Sequence, residues 1–324
     1  MTPALLAVEN LSIGYRAAGG MRRVVDGVSF SLERGCALGL VGESGCGKTT
    51  IGMALMGLLP PNAAVVSGHI RFEGEDLFSV TDQRLRQIRW RRISMIFQAA
   101  MNALNPVHRV GDQIAEAIVT HEPELSRQAV DHRVRSLFEL VKIPKNRLSD
   151  YPHQFSGGMR QRVIIAMALA CNPSLIIADE PTTALDVIVQ SQILDAIGTF
   201  QRETNISMIF ISHDIAVVAD VCSQIGVMHD GRLVEYGSRQ EVLDCPAHPY
   251  TRMLVGSLLT LSDRPADLSG DALIPAGRPS AGENACTISQ FCPAVAAVCR
   301  SEGGGWVELS ATHRVRCVRA GRER

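Results

Sequence analysis

One stretch of the sequence decides its fold: Gly42-Glu43-Ser44-Gly45-Cys46-Gly47-Lys48-Thr49. It fits the pattern G-x-x-x-x-G-K-[ST], with the continuously apolar run 36–41 before it and the helix-compatible run 51–59 after it. Glycines let such a loop turn tightly, so that consecutive backbone N–H groups and the helix N-terminus face phosphate oxygens. We therefore predict a P-loop (Walker A), in which Lys48 bridges the β- and γ-phosphates of a nucleotide and the Thr49 hydroxyl ligates Mg²⁺.

A glycine-rich turn with an incidental lysine is the alternative interpretation of this stretch. Only Lys48, Lys142 and Lys145 are lysines among the 32 basic residues, so a lysine at this position is more informative than usual. We predict that all eight residues of the loop, together with Thr50, contact the nucleotide.

Two acidic side chains end a second apolar run, at 175–178. Asp179 follows this run in the Walker B arrangement and is predicted to complete the Mg²⁺ shell. Glu180 comes next, and a second carboxylate beside the first can orient or deprotonate an attacking water. An acidic turn before Pro181 is the alternative. Together with the P-loop, this pair predicts an enzyme that hydrolyses a nucleoside triphosphate.

The pattern of apolar residues predicts an α/β fold. Continuously apolar runs, typical of strands covered on both faces, occur at 36–41, 175–178 and 208–211. Helical stretches separate them, which favours a largely parallel sheet. The run 28–32 alternates apolar and polar residues, as a half-buried antiparallel strand does. Asp230-Gly231, between two further apolar runs, predicts a hairpin, because both turn positions need φ > 0.

A helical segment interrupts this plan from about residue 99 to residue 155. Ser126 is a candidate N-cap, and Val130, Val134 and Leu137 follow it on one helical face. We read this part of the chain as a helical subdomain, about 99–172, inserted into the α/β core.

Composition excludes several classes of protein. The chain has 324 residues, of which 46% are hydrophobic and 20% charged, and this argues against global disorder. Its formal net charge of −1 argues against general nucleic-acid binding, which normally needs a basic excess. No apolar run reaches the roughly 18–20 residues that cross a bilayer, and no signal peptide is recognised. We expect a cytosolic chain.

Several motifs resemble those of the ATP-binding subunits of ABC transporters. Phe155-Ser156-Gly157-Gly158-Met159-Arg160-Gln161 resembles the ABC signature, in which a serine, glycine amides and a helix N-terminus face a γ-phosphate. The resemblance covers roughly residues 5–256. It implies that Ser156, Gly157, Gly158 and Gln161 of one subunit close on the nucleotide held by its partner, so that hydrolysis needs a dimer.

Other single residues match the same family. Gln98 resembles the Q-loop glutamine, which contacts Mg²⁺ or water and links the site to the membrane partner. Asp186, after Ala184-Leu185, resembles the D-loop aspartate, and His213 resembles the switch histidine, which stabilises the γ-phosphate or water. Tyr15 resembles the A-loop aromatic that stacks on adenine. An ordinary half-buried tyrosine and an ordinary strand-end histidine are the alternatives for Tyr15 and His213.

Longer stretches are similar to the dipeptide, oligopeptide and nickel importer branch of that family, at 151–163, 178–187 and His248-Pro249-Tyr250-Thr251. The resemblance implies an ATPase that drives peptide uptake with a second, related ATPase as heterodimer partner. Two transmembrane permease subunits and a periplasmic or lipid-anchored binding protein would complete the transporter, at the cytoplasmic face of a bacterial inner membrane. Import of nickel or another small solute is one alternative. A soluble ABC ATPase acting on nucleic acid or ribosomes is another, although such proteins commonly fuse two cassettes or insert coiled coils.

The chain changes character after about residue 257. We predict an ABC ATP-binding domain over 1–256, a Pro- and Gly-rich linker over 257–285, and a small cysteine-rich extension over 286–324. The extension holds Cys286, Cys292, Cys299 and Cys317. A cytosolic chain does not favour disulfides, and the close C-x2–4-C pairs of zinc sites are missing. Four thiolates also suit an iron–sulfur cluster, and the spacing resembles the cysteine motif of the importer branch, which implies [4Fe-4S]. Zinc and unligated thiols remain the alternatives.

Overall fold

The computed structural model describes residues 4–17, 19–98, 103–183, 186–259, 286–288, 292, 299, 305–317 and 320. The strands within these residues are β1 (Leu6–Ala17), β2 (Gly20–Leu32), β3 (Ala37–Val41), β4 (Ala63–Phe72), β5 (Glu75–Asp76), β6 (Ile93–Ile96), β7 (Leu175–Asp179), β8 (Ser207–Ser212), β9 (Gln224–His229), β10 (Arg232–Ser238), β11 (Val307–Glu308) and β12 (Arg314–Val315). The helices are α1 (Lys48–Leu55), α2 (Asp82–Ile88), α3 (Val110–His121), α4 (Arg127–Leu140), α5 (Gly157–Ala168), α6 (Val187–Thr204), α7 (Ile215–Val221), α8 (Arg239–Asp244) and α9 (Pro249–Leu259).

A mixed sheet lies at the centre of the fold, with strand order β11-β12-β10-β9-β3-β8-β7-β6. The strands from β9 to β6 in this order run parallel to one another. Every residue of β3 and β7 is buried, which explains why their sequences are continuously apolar up to the final aspartate. The α/β prediction with a largely parallel sheet is confirmed.

Antiparallel pairing occurs in two places. A second sheet has the order β2-β1-β4-β5, and each neighbouring pair in it is antiparallel, so the alternating run 28–32 is confirmed as part of an antiparallel strand. In the main sheet β9 pairs with β10 as the predicted hairpin. Asp230 and Gly231 have φ of +42° and +82°, as the turn requires.

Two hydrophobic cores lie on opposite faces of the main sheet. Leu38 and Leu40 of β3 belong to the core that includes α1 and the antiparallel sheet. Ala37 and Val41 of the same strand belong to the core that includes the helices. The alternation of side chains along one strand thus joins both layers to the sheet.

The helical segment contains α3, α4 and α5, whose apolar faces share the second core. Ser126 caps α4, accepting a hydrogen bond from the Ala129 N–H at 3.3 Å, and Val130, Val134, Leu137 and Phe138 are buried along this helix. The expected N-cap and the apolar face of α4 are therefore confirmed.

The C-terminal part of the described chain extends the main sheet. Strand β12 pairs with the edge of β10, and β11 pairs with β12. The predicted domain end at residue 256 falls inside α9, which continues to Leu259. The domain boundary itself stays a prediction, and most of the predicted linker (260–285) lies outside the described residues.

Candidate functional site

Four parallel strands deliver the candidate site residues to one edge of the main sheet. The P-loop follows β3, Gln98 follows β6, Asp179 ends β7 and His213 follows β8. Because the carboxyl ends of parallel strands meet at one edge, residues far apart in sequence surround one cleft. Its volume is about 560 Å³, and it is lined by Tyr15, Ala17, Arg22, Val24, Ser44, Gly45, Gly47, Lys48, Thr49, Thr50, Gln98 and Glu180.

The P-loop glycines are required by the close approach of other backbone atoms. A Cβ on Gly42 would lie 2.0 Å from the Met228 carbonyl oxygen. Gly47 has φ of +103°, and a Cβ on it would lie 2.7 Å from the Val24 carbonyl oxygen. Neither position accommodates a side chain without moving backbone, so the loop shape depends on glycine at both.

Lys48 is buried at the start of α1 and bound to the loop itself. Its ammonium donates to the Gly42 carbonyl at 2.6 Å and to the Glu43 carbonyl at 2.8 Å. It also lies 3.5 Å from the Cys46 sulfur. A buried cation held by neutral carbonyls and lining an open cleft is suited to bind an anionic phosphate entering that cleft.

Thr49 and Asp179 form the candidate metal site. The Thr49 hydroxyl donates to Asp179 Oδ1 at 3.1 Å. Asp179 Oδ2 is buried and has no hydrogen-bond partner among the described residues. Burial raises the pKa of the Asp179 carboxyl, against the lowering effect of the Thr49 hydrogen bond. A hydroxyl and an orphaned carboxylate oxygen are hard donors that suit Mg²⁺, so these residues fit the predicted ion.

Glu180 is held beside this site in an uncommon backbone conformation. Its φ is +45°, in the left-handed region, and its N–H donates to the Ile211 carbonyl at 2.9 Å. The Gln98 amide donates to Glu180 Oε2 at 3.0 Å, and the Thr183 hydroxyl donates to the same oxygen at 2.9 Å. His213 Nδ1 lies 3.3 Å from Oε1. The structure therefore brings together the three side chains predicted to be catalytic, around one carboxylate.

Tyr15 lies at the other end of the cleft. Its hydroxyl is 3.3 Å from the Thr50 hydroxyl, which directly follows the candidate Mg²⁺ ligand. The half-buried Tyr15 ring gives this side of the cleft an aromatic surface on which a purine base could stack.

The signature residues are elsewhere on the chain. Ser156 caps α5, accepting from the Met159 N–H at 3.3 Å. Gly158 packs on α6, where a Cβ would lie 2.5 Å from Val189. The buried Gln161 amide donates to the Pro181 carbonyl at 2.6 Å, so this side chain supports the loop after β7. Among the described residues, none of the predicted signature ligands lines the cleft of its own chain.

Asp186 also has a local role in the structure. It caps α6, accepting from the Val189 N–H at 2.9 Å. Ala184 and Leu185 of the predicted D-loop lie outside the described residues, as do residues 99–102 after the Q-loop.

The four cysteines of the extension lie in one region. The Cys286 N–H donates to the Cys299 carbonyl at 2.8 Å. Burial raises the pKa of the Cys286 thiol, and the other three thiols raise it further. Across the described residues, however, no group of three or more His, Cys, Asp or Glu is arranged to hold a metal ion. Cys286 and Cys292 instead pack on the apolar core. The structure does not support the predicted iron–sulfur cluster or the zinc alternative.

Sequence reasoning missed a group of buried polar residues behind the P-loop. Glu235 on β10 is fully buried, and its carboxylate accepts from the Ala247 and His248 N–H groups at 2.8 Å each. His313 Nε2 lies 2.7 Å from the same carboxylate. Burial lowers the pKa of His248 to about 4, although the Glu235 charge opposes this shift. A charged residue inside an apolar strand sequence was the available signal for this group.

In the described part of the chain, no helix combines the length and apolarity that a membrane span requires.

Two family models match the chain. The model described as ABC transporter matches residues 25–183, which include the P-loop, the signature and Asp179. The model described as oligopeptide/dipeptide transporter, C-terminal region, matches residues 234–299, which include Glu235, α9 and the first three extension cysteines.

Curated proteins are similar over nearly the whole chain. The dipeptide transport ATP-binding protein DppD of Bacillus subtilis (strain 168) is 45% identical over 320 residues, 97% of this chain and 94% of that protein. The oligopeptide transport ATP-binding protein OppD of Escherichia coli (strain K12) is 41% identical over 304 residues, 92% of this chain and 88% of that protein.

Solved structures share the fold. A dimeric ATP-binding cassette in a post-hydrolysis state, bound to ADP and Pi, aligns with a TM-score of 0.64 at 24% identity, over 72% of this chain and 98% of that one. The cbiO1 protein of Clostridium perfringens, part of the ABC transporter complex cbiONQ, aligns with a TM-score of 0.65 at 26% identity, over 80% of this chain and 98% of that one.

Proposed function

The chain belongs to the ATP-binding subunits of the dipeptide and oligopeptide ABC transporters, and we propose that it hydrolyses ATP as one of two cassettes whose closure drives import. It is the ATPase subunit of a peptide importer. The observation that carries the catalytic assignment is the arrangement around Glu180, a carboxylate aligned by Gln98, Thr183 and His213 beside Asp179.

Each residue of the cleft has a distinct task in this proposal. When ATP binds, the Lys48 ammonium gives up its hydrogen bonds to the Gly42 and Glu43 carbonyls and binds the β- and γ-phosphate oxygens instead. Glu180 orients the attacking water and accepts its proton. Gln98 and Thr183 donate to Oε2, so Oε1, which faces His213, is the oxygen left for this task. His213 stabilises the charge that develops on the γ-phosphate.

Thr49 and Asp179 would hold Mg²⁺, with Gln98 nearby. When bound, the ion neutralises charge on the β- and γ-phosphates. The orphaned Asp179 Oδ2 is the oxygen this assignment uses, and Thr49 fixes the orientation of the carboxylate.

A second cassette is proposed because Ser156 does not line the cleft of its own chain. The start of α5 offers the Ser156 hydroxyl and the free N–H groups of a helix N-terminus, which are suited to a γ-phosphate. These groups do not line their own cleft, so we propose that they close on the nucleotide of a partner cassette. A related ATPase in a heterodimer is the proposed partner, and a homodimer is the alternative.

The remaining subunits and the cargo are also proposals. We propose two transmembrane permease subunits and a separate binding protein, with this chain peripheral at the cytoplasmic face of the inner membrane. Dipeptides or oligopeptides are the proposed cargo, since those substrates appear in the names of proteins similar over most of this chain. Nickel or another small solute is the alternative, and the ligand retained by the binding protein distinguishes them.

The catalytic assignment is tested with Glu180→Gln, which keeps the shape of the side chain and removes the base. We expect ATP binding to persist while turnover falls at least about 100-fold, the range for loss of a general base. Glu203→Gln, an exposed position near the end of α6, is the matched control and should keep full turnover. Wild-type turnover in the Glu180 variant would remove this residue from its proposed role.

The cysteine extension is a separate proposal, and no step of hydrolysis depends on it. We propose [4Fe-4S] as its ligand from the four cysteines of the sequence alone, because the described residues contain no group arranged to hold a metal ion. The test is to measure iron, acid-labile sulfide and zinc in the anaerobically purified full-length chain. Iron with sulfide indicates a cluster, zinc indicates a zinc site, and neither indicates thiols that only pack. Cys286→Ala is the control that should lose any bound metal.

A further inference from the structure

The start of α9 contacts the P-loop from behind. Tyr250 is 1% exposed, and its hydroxyl accepts a hydrogen bond from the Glu43 N–H at 3.1 Å. That N–H belongs to the peptide unit between Gly42 and Glu43. The carbonyl of the same unit, Gly42 O, accepts from the Lys48 ammonium at 2.6 Å. One peptide plane is therefore held at its N–H by Tyr250 and at its oxygen by Lys48.

This arrangement matters when ATP binds. Lys48 then leaves the Gly42 carbonyl for the phosphates, and the peptide plane keeps only its bond to Tyr250. Gly42 has no side chain to restrict rotation of the plane. Without the tyrosine hydroxyl, the part-buried Glu43 N–H would also lose its hydrogen bond behind the loop.

Tyr250 is itself held firmly in place. Its N–H donates to His248 Nδ1 at 3.2 Å, and Glu235 anchors the preceding backbone. The ring of His229 lies against the Tyr250 ring, with centroids 4.4 Å apart and planes at 58°. His229 directly follows Met228, whose carbonyl excludes a side chain at Gly42. The end of β9 and the start of α9 thus form one support for the loop.

The support continues into the cysteine extension. His229 Nδ1 and the Thr287 hydroxyl share a hydrogen bond of 2.8 Å, and Thr287 directly follows Cys286. A continuous series of contacts therefore joins the extension to the P-loop, through Thr287, His229, Tyr250 and Glu43.

We propose that Tyr250 is a positioning residue for ATP, which keeps the Gly42–Glu43 peptide of the P-loop in place once Lys48 has moved to the phosphates, and that the extension acts on the P-loop through Thr287 and His229. The inference rests on ATP binding in this cleft. If the proposal is right, the segment His248-Pro249-Tyr250-Thr251 affects nucleotide affinity through the P-loop backbone.

Tyr250→Phe tests the first part, because it removes only the hydroxyl. Steady-state hydrolysis by the full-length chain in its assembled transporter should show KM for ATP raised about tenfold with kcat changed less than about twofold, as expected when a bond made equally in ground and transition states is lost. The matched control is Tyr236→Phe, a buried tyrosine whose hydroxyl bonds the Ser31 carbonyl and Gln224 away from the cleft. Its KM should equal that of the wild type.

An unchanged KM in Tyr250→Phe, or equal KM changes in both variants, would overturn the proposal. A wild-type chain that does not hydrolyse ATP in its transporter would instead remove the proposed function, so the two failures are distinguishable.

Thr287→Val tests the connection to the extension by removing one hydroxyl without changing side-chain size. We expect KM to rise about two- to threefold, and the double variant with Tyr250→Phe to be no worse than Tyr250→Phe alone. Thr204→Val, which loses a hydroxyl bond to the Phe200 carbonyl on α6, is the control. Fully additive effects would show that Thr287 does not act through Tyr250.

Discussion

The Thr49 hydroxyl donates to Oδ1 of Asp179 at 3.1 Å and leaves Oδ2 of that carboxylate buried, with no partner among the described residues. A buried carboxylate oxygen without a partner opposes folding of the empty protein. It is kept in a position where a divalent cation would satisfy it. The unpartnered Asp179 oxygen therefore lowers the stability of the empty protein and is also the oxygen proposed to bind Mg²⁺.

Asp179→Asn separates these two effects. Burial raises the pKa of the Asp179 carboxyl. The stability that the protonated carboxyl contributes is therefore lost as pH rises through that pKa, and at neutral pH the buried charge destabilises the fold. We expect the nucleotide-free variant to be more stable by about 1 kcal/mol. Turnover should fall at least about 100-fold through the lost metal ligand.

Thermal unfolding with and without Mg²⁺ and ATP checks this prediction. The wild type should gain stability when both are added, whereas Asp179→Asn should not. Asp195→Asn, at an exposed position of α6, is the control and should behave as the wild type does. A variant that is less stable when empty, or that still responds to Mg²⁺ with ATP, contradicts the assignment.

The signature serine offers a matched pair of helix caps. Ser156 caps α5 and Ser126 caps α4, and each accepts the N–H three residues later at 3.3 Å. Replacing either by alanine should cost about 1 kcal/mol of stability. Only Ser156→Ala should also lower ATP turnover, because only that hydroxyl is proposed to reach a partner's nucleotide.

Turnover as a function of cassette concentration completes this test. We expect activity of the wild type to fall on dilution below the concentration at which cassettes pair. Brisk hydrolysis by a dilute monomer, undiminished in Ser156→Ala, would contradict the two-cassette proposal. Equal losses in both serine variants would assign the effect to helix stability.

The residues proposed to be catalytic could be picked out from the sequence because each follows a short, recognisable strand. Asp179 ends β7 and His213 follows β8, and parallel strands place such residues at one edge regardless of their separation along the chain. Tyr250 and Glu43 could not be paired in this way. They are separated by 207 residues, and no periodic pattern links a helix start with the back of a loop. The left-handed backbone of Glu180 was likewise not predictable, since its residue type gives no signal for positive φ.

A glycine in the P-loop gives a further prediction. Gly42→Ala places a Cβ 2.0 Å from the Met228 carbonyl oxygen, and that contact is relieved only by moving the loop away from β9. We expect ATP affinity to fall at least about tenfold, since displaced N–H groups no longer converge on phosphate. Gly305→Ala, where a Cβ would meet nothing within 4 Å, is the control for equilibrium ATP binding. Unchanged affinity in Gly42→Ala would show that the loop tolerates this displacement.

The last prediction concerns acid stability and His248. Its Nδ1 accepts the Tyr250 N–H, so the ring has no proton on that nitrogen. Burial lowers its pKa from the usual 6.5 to about 4, with His229 and Arg252 acting in the same direction and Glu235 opposing them. A histidine with a lowered pKa in the folded state contributes stability that is present above 6.5 and is lost as pH falls toward about 4. At about 1.4 kcal/mol per pKa unit, the full loss is at most about 3.5 kcal/mol.

His248→Asn keeps an acceptor near the position of Nδ1 and removes the titration. Between pH 7 and pH 4.5, the variant should lose about 1–2 kcal/mol less stability than the wild type, measured by denaturant unfolding at each pH. His132→Asn, at an exposed position of α4, should follow the wild-type curve. Parallel curves for wild type and His248→Asn would mean that another group controls acid unfolding. A flatter curve would show that protonation of His248, which accepts the Tyr250 N–H, contributes to acid unfolding.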